Sequence, residues 1–420
     1  MKLFYKQLVF LVFLNFLITS FSFSQTTYLL KPARVFDGEQ MHNGWNVLVK
    51  NNKIIAVGEN IGGEKDATII ELKNCTLLPG LIEGHSHLFL HPYNETSWND
   101  QVLKEPRGER VARATVHAKK TLMAGFTTVR DLGTEGAGYD DVGLKQAIEK
   151  GIVPGPRMIV ATRAIVATGS YGPKELREDI DVLKGAAEAD GSDALIKEVR
   201  TQIGKGADVI KIYADYRWGL NKEAEPTFTV DELKKAVEVA NSSGREVVVH
   251  SSTAEGMRRS ILAGVSTIEH GDDGTPEIFK MMKEKGIALC PTIAAGDAVE
   301  QYHGWRKGID AEPDRIKAKR KSFKDALDAG VIICMGGDVG VFAHGDNVRE
   351  MEAMVDYGMK QLDVLKSATS VNADVFKISN NVGRIKVGLL ADIIAVEGDP
   401  SENISQLRKI KLVMKGGVVY

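Results

Sequence analysis

Cysteine is almost absent from this 420-residue chain: three occur, Cys75, Cys290 and Cys334, with no CxxC spacing. That excludes a disulfide framework and a zinc knuckle, and leaves buried free thiols as the expectation. An excess of charge of one sign is lacking too. The 54 lysines and arginines stand against 56 aspartates and glutamates, a formal net charge of -2, so no global field draws in nucleic acid or anionic lipid. Specificity must come from a local site. Histidine is scarce, nine in all, which makes the position of each informative. The remaining composition, 43% hydrophobic and 26% charged, is that of a globular chain long enough to bury a large core.

The N-terminus departs from this even composition. Lys2 and Lys6 precede a run over residues 8–23 that is almost wholly apolar or hydroxylated, ending in small residues at Ser22 and Ser24. That order predicts a signal peptide over 1–24, cleaved near Ser24, and a secreted or periplasmic protein that meets the membrane only through this segment. The rival is an uncleaved anchor, against which the run is shorter than a comfortable bilayer span.

From 27 to 75 the text reads as short strands and turns (TYLLKPARVFDG, WNVLVKNNKIIAVGEN, ATIIELKNCTLLPG), and the far end repeats the style in ADIIAVEGDP and KIKLVMKGGVVY. Neither end has enough strands to cover a face alone, so one composite β-sandwich is expected from 25–79 and 379–420. The middle, 80–378, alternates strand-like and helix-like text. In one unit ADVIKIYAD precedes a helix opened by a Thr229/Glu232 capping box, striped by Val230, Leu233, Val237 and Ala240, and stopped at Gly244. Eight strand candidates follow from this reading: LLPGLIEGHSH, FTTVRD, RMIVATRAI, DVIKIYAD, EVVVHSS, STIEHG, IALCPTI and VIICMGGDVG. Eight alternating units point to an α/β fold with a closed (β/α)8 TIM barrel; counting alone leaves a doubly wound open sheet as the alternative.

His85, His87, Lys211, His250, His270 and Asp338 all fall at or near the C-terminal ends of these strands, the face on which barrel active sites sit. His85 and His87 are two apart, so on a strand they point the same way and can grip one metal. A bare HxH is more often structural; its place after PGLIEG, and four of nine histidines at strand ends, reverse that reading. Lys211 lies inside an apolar run, where an ammonium is costly unless it snorkels out, is paired or is modified. Beside two metal cations its amine can take up carbon dioxide and become an anionic, bridging carbamate. Asp338, in MGGDVG, supplies a hard oxygen ligand and a base for a water proton.

With these residues in view the chain resembles the amidohydrolase superfamily, in its subgroup of imidazolonepropionase-like proteins and Xaa-Pro dipeptidases. The resemblance is carried by VFDG, PGLIEGHSH, IKIY, VVVHSS, TIEHGDDGTPE, GGDVGVFAHGDN, SATSVNA, GLLADIIAV and VMKGGVVY, nearly the whole of the chain after the leader. It implies a barrel inserted in the composite sandwich, two divalent metal ions with zinc as the default, and hydrolysis of a carbon–nitrogen bond by metal-activated hydroxide. Carried across, His85, His87 and Asp338 would hold the first ion and His250 and His270 the second, with N6-carboxylated Lys211 bridging them and Asp338 shuttling the proton.

Tyr213, two residues beyond Lys211, is a candidate substrate contact, as are Tyr171, Arg163, Arg217, His344 and Asn347. Two departures from the family pattern stand out. Glu83 takes a place where aspartate is frequent, and TGSYGP sets Tyr171 where TGGHGD would bring a histidine to the substrate carbonyl, which separates this chain from a strict proline-dipeptide pattern. The expected partner is a small molecule or short peptide, and the chain is compatible with a homo-oligomer. Against a two-metal amidase or peptidase stand a cyclic-amide hydrolase on the same scaffold, a one-metal deaminase, which has no use for Lys211, and a non-catalytic binding protein, which would not need every ligand.

Overall fold

The computed structural model describes residues 26–62, 64–174, 176–177 and 179–420; the expected signal peptide lies outside the described residues. Among the described residues no helix is long and apolar enough to cross a membrane. The fold is mixed α/β.

Both chain ends meet in one eight-stranded sheet. The strand Thr68–Pro79 is its hinge, pairing in parallel with Thr27–Phe36 on one side and antiparallel with Ile393–Glu397 on the other. The reason is in the side chains: Leu30, Val35, Val47 and Leu77 from the N-terminal part bury with Ile393, Ala395 and Met414 from the C-terminal part, so each end supplies apolar surface that the other covers. The strands pair along one continuous hydrogen-bonded path. Asn51, at φ 54°, turns the chain between Asn46–Lys50 and Lys53–Gly58, a left-handed position that asparagine tolerates.

Only Gly80 separates Thr68–Pro79 from the next strand, Leu81–Ser86. A side chain at Gly80 would overlap that of Thr127, so the crossing from the end sheet into the central strands requires glycine. The central strands are parallel. Leu81–Ser86, Phe126–Asp131 and Arg157–Val160 form one run; Ile165–Val166, Ile210–Tyr213, Val247–Ser251, Thr267–His270 and Ala288–Cys290 lie in order in another, whose far edge is Ala187–Glu188. Backbone bonds join the two runs: Asp208 N to Val160 O at 2.8 Å, Cys334 N to Leu289 O at 2.8 Å, Gly84 N to Met335 O at 3.0 Å and His87 N to Val339 O at 2.7 Å.

Two of the eight expected strands differ from the sequence reading. RMIVATRAI is broken in two because Thr162 adopts φ 63°. VIICMGGDVG is no regular strand, and touches its neighbours through bridges at Ile333 and Val339. Its cause is local: Asp338 sits at φ 60°, and a Cβ at Gly336 would press on the backbone of Gly84 and His85. Between strands, helices pack by their apolar stripes. Val230–Asn241 carries the expected capping box in both directions, and its buried residues are Leu233, Ala236, Val237 and Ala240; Val230 is only half-buried. All three cysteines are free and buried.

Candidate active site

Strand register brings the chemistry to one level. Tyr213 is paired with His250, His250 with Glu269, and Ser251 with His270, so residues far apart in sequence end their strands side by side. Four imidazoles converge there, with ring centroids 5.3 Å apart for His85 and His87, 5.3 Å for His85 and His270, and 4.3 Å for His250 and His270. Asp338 joins them: its Oδ1 is 3.3 Å from His87 Nε2 and 3.6 Å from His85 Nε2. One ligand atom from each of His85, His270 and Asp338 lies within 4.8 Å of the others.

The imidazoles are oriented from behind. His85 Nδ1–H donates to Glu269 Oε2 at 2.9 Å, and His87 Nδ1–H donates to the Gly133 carbonyl at 2.9 Å. His270 Nδ1–H donates to Thr292 Oγ1 at 2.7 Å, whose own hydroxyl is spent on the Pro291 carbonyl at 2.8 Å. With Nδ1 committed in three rings, Nε2 is the nitrogen turned to the site, the arrangement in which histidine ligates a metal. Burial lowers the His87 pKa, but Asp338 beside its Nε2 outweighs that and raises the ring to about 9, so a metal there would take the place of a proton. Burial, with Lys211 close by, pulls His85 down to about 4 and His250 to about 3, so both are neutral at ordinary pH. Burial opposes a charge on Asp338, yet His85, His87 and Lys211 hold its carboxyl below the usual carboxylate range.

Lys211 is the anomaly. It is 1% exposed, and its Nζ has no hydrogen-bond partner among the described residues. Three donors without an acceptor cost free energy wherever water is excluded, and burial accordingly pushes its pKa down. The donor set as a whole fits divalent cations: imidazole nitrogens, an ionised carboxylate, and a buried amine without a hydrogen-bond partner among the described residues. Two of its members, His270 at φ 77° and Asp338 at φ 60°, hold left-handed backbone that non-glycine residues seldom adopt.

Residues 76–420 match the Amidohydrolase family. This chain is a member of that family. Over 91% of its length it is 30% identical to the ochratoxinase of Aspergillus niger, covering 84% of that protein. It is similar to a solved Xaa-Pro dipeptidase with methionine bound in the active site (TM-score 0.82, 32% identity, 94% of this chain and 100% of the other). It is similar also to a prolidase in complex with N-methylphosphonate-L-proline (TM-score 0.81, 27% identity, 94% and 99%). The protein is therefore a hydrolase of carbon–nitrogen bonds, from a family that generally uses divalent metals and acts on small substrates.

Within this amidohydrolase the six expected metal-site residues lie together, and two of the six expected substrate residues adjoin them. The Tyr213 ring stacks on His250 at 4.7 Å, and Tyr171 packs on Tyr213 at 4.7 Å. The other four make different contacts. Arg163 spends its guanidinium on the Ala186 carbonyl at 2.7 Å, and Arg217 is exposed on a short hairpin strand, Asp215–Arg217. His344 is buried behind the ligand strand, stacked on His117 at 4.3 Å with Nε2 bonded to the Leu90 carbonyl. Asn347 is fully buried and donates to Glu83 Oε2 at 2.9 Å. Glu83 in turn accepts from the amides of His85 at 3.0 Å and Gly337 at 2.8 Å, tying together the two segments that carry His85 and Asp338. Burial raises its carboxyl to about 7 against the pull of these three donors.

Sequence reasoning passed over Glu269, Arg130 and Glu135. Glu269 is fully buried, with Oε1 accepting from Arg130 Nη2 at 2.9 Å and from the Thr267 hydroxyl at 2.5 Å. Burial would neutralise it, but Arg130 and His85 keep its carboxyl below the usual range. The signal was present in STIEHG: an acid inside an apolar strand poses the same question as Lys211. Glu135 follows FTTVRD in a loop without periodicity, and no pattern marks it.

Proposed function

We propose that this amidohydrolase is an exported two-metal hydrolase that cleaves the amide or peptide bond of a small substrate such as a dipeptide or an N-acyl amino acid. The observation that carries the reading is Lys211, a buried amine without a hydrogen-bond partner among the described residues, amid four imidazoles and a carboxylate. Carbon dioxide adding to its neutral amine, with loss of one proton, would make a carbamate, an anion fit to bridge two cations. His85, His87 and Asp338 would then hold one ion and His250 and His270 the other, zinc being the default for such donors. When bound, such ions lower the pKa of a water and polarise a scissile carbonyl.

The chain's own part in the reaction is to hold geometry and move protons. Asp338 is kept ionised, so its carboxylate can take the proton of the attacking water and deliver it to the departing amine. Glu269, Gly133 and Thr292 keep the imidazoles in one tautomer throughout. The accompanying fold reading is a (β/α)8 barrel over 80–378 and a composite β domain from 25–79 and 379–420, supported by the backbone bonds that join the two parallel runs and by the shared end sheet. Export is supported by the apolar run at 8–23.

A panel of dipeptides and N-acyl amino acids, assayed on metal-loaded protein, tests the reading. Release of free amino acid supports it; release of ammonia from a heterocycle, with no amide turned over, overturns it.

A further inference from the structure

On the reading that this site cleaves small amides, we propose that the substrate carries a flat aromatic group beside the scissile bond, received against a wall formed by Trp98, Tyr171 and Tyr216. The wall begins at the metal site. The Tyr213 ring lies on His250 at an interplanar angle of 15°, and Tyr216 is 5.8 Å from the same imidazole. Tyr171 continues it, 4.8 Å from Tyr216 at 68° and 5.1 Å from Trp98 at 71°. These are edge-to-face contacts, the arrangement that ring quadrupoles favour, and an added ring can extend such an array.

One carboxylate decides which atoms the wall presents. Glu135, 2% exposed, accepts from Trp98 Nε1 at 3.0 Å, from the Tyr171 hydroxyl at 2.5 Å and from the Tyr213 hydroxyl at 3.3 Å. Three polar handles are thus turned inward onto one anion, which leaves Trp98 and Tyr171 to meet a substrate through ring carbons. Trp98 and Tyr216 stay only half-buried despite their size. Tyr171 occupies the place where the family pattern has a histidine, and with its hydroxyl committed to Glu135 it acts through its ring.

The test compares N-acetyl-L-phenylalanine and N-benzoyl-L-alanine, which put the ring on either side of the amide, with N-acetyl-L-leucine, N-acetyl-L-alanine and N-acetyl-L-lysine. One aromatic substrate is expected to exceed the leucine compound about tenfold in kcat/KM, mostly through KM. Tyr216→Leu should bring that ratio to within about twofold of unity, and Tyr216→Phe should keep it. Calorimetry on metal-loaded protein gives a readout free of turnover: 3-phenylpropanoate should bind about tenfold tighter than 4-methylpentanoate. Leucine or lysine preferred, a ratio untouched by Tyr216→Leu, or no difference between the two acids would overturn the aromatic wall. Preference for the aromatic acid with no amide cleaved would leave the wall standing and remove the amide reading alone.

Discussion

Glu269 Oε2 lies 2.9 Å from His85 Nδ1, with both side chains fully buried. An ionised carboxylate can only accept, so this contact places the His85 proton on Nδ1 and aims Nε2 at Asp338. Glu269→Gln keeps the volume and removes the charge. Metal affinity, read by chelator competition, is expected to weaken about 10- to 100-fold. Unchanged affinity would show that the carboxylate serves Arg130 and Thr267 and does not tune the metal ligand.

Lys211 yields a prediction of opposite sign in the two metal states. Lys211→Met removes an amine with no hydrogen-bond partner among the described residues and fills the space with an apolar chain. Metal-free protein should be stabilised by about 1–3 kcal/mol, because the orphaned donors no longer have to be buried. Metal-loaded protein should lose most of its stabilisation by metal and most of its activity. Thermal melts with and without chelator measure both. A variant less stable than wild type in the metal-free state would mean that the amine is satisfied after all.

Asn347 tests whether the HGDN segment serves substrate or scaffold. Its amide donates to Glu83 at 2.9 Å, and Glu83 clasps the amides of His85 and Gly337. Asn347→Ala leaves a buried carboxyl short of a donor and should cost about 1–3 kcal/mol in urea unfolding. KM should stay within about twofold of wild type. A large rise in KM at unchanged stability would return Asn347 to the substrate side.

How much of this was legible beforehand depends on the kind of residue. The convergence of His85, His87, Lys211, His250, His270 and Asp338 was readable because each is polar within or just after an apolar, strand-like run, and the ends of such runs in parallel α/β folds converge. The end sheet was readable from β-branched text at both ends, and the Thr229/Glu232 cap from its spacing. Arg163, His344 and Asn347 show why substrate residues are harder to read: a polar residue near a ligand in sequence can as well bond groups behind it as face the substrate, and here the three contact the Ala186 carbonyl, the Leu90 carbonyl and Glu83. Glu135 was invisible: its partners come from residues 98, 171 and 213, and only the tertiary fold brings them to one carboxylate. The eighth strand failed because the left-handed backbone at Asp338 overrides the β-propensity of its neighbours.

His117 gives a pH dependence away from the metal-site residues. Burial pulls it to about 4 from 6.5, while its Nδ1–H donates to the Leu88 carbonyl at 2.8 Å. Between those values the unfolded chain binds a proton that the folded chain does not. This contribution to stability is therefore complete above about pH 6.5 and lost as pH falls toward 4. Urea midpoints at pH 7.5 and 5.0 should drop less for His117→Asn than for wild type. Equal drops would show that His117 titrates normally in the fold.

The two-metal site bridged by Lys211 is tested most directly by counting metal per chain, by inductively coupled plasma mass spectrometry, in wild type and in Lys211→Ala purified side by side. Two equivalents in wild type, falling to one or none in the variant, are expected. One equivalent in wild type, or two retained without Lys211, would contradict it.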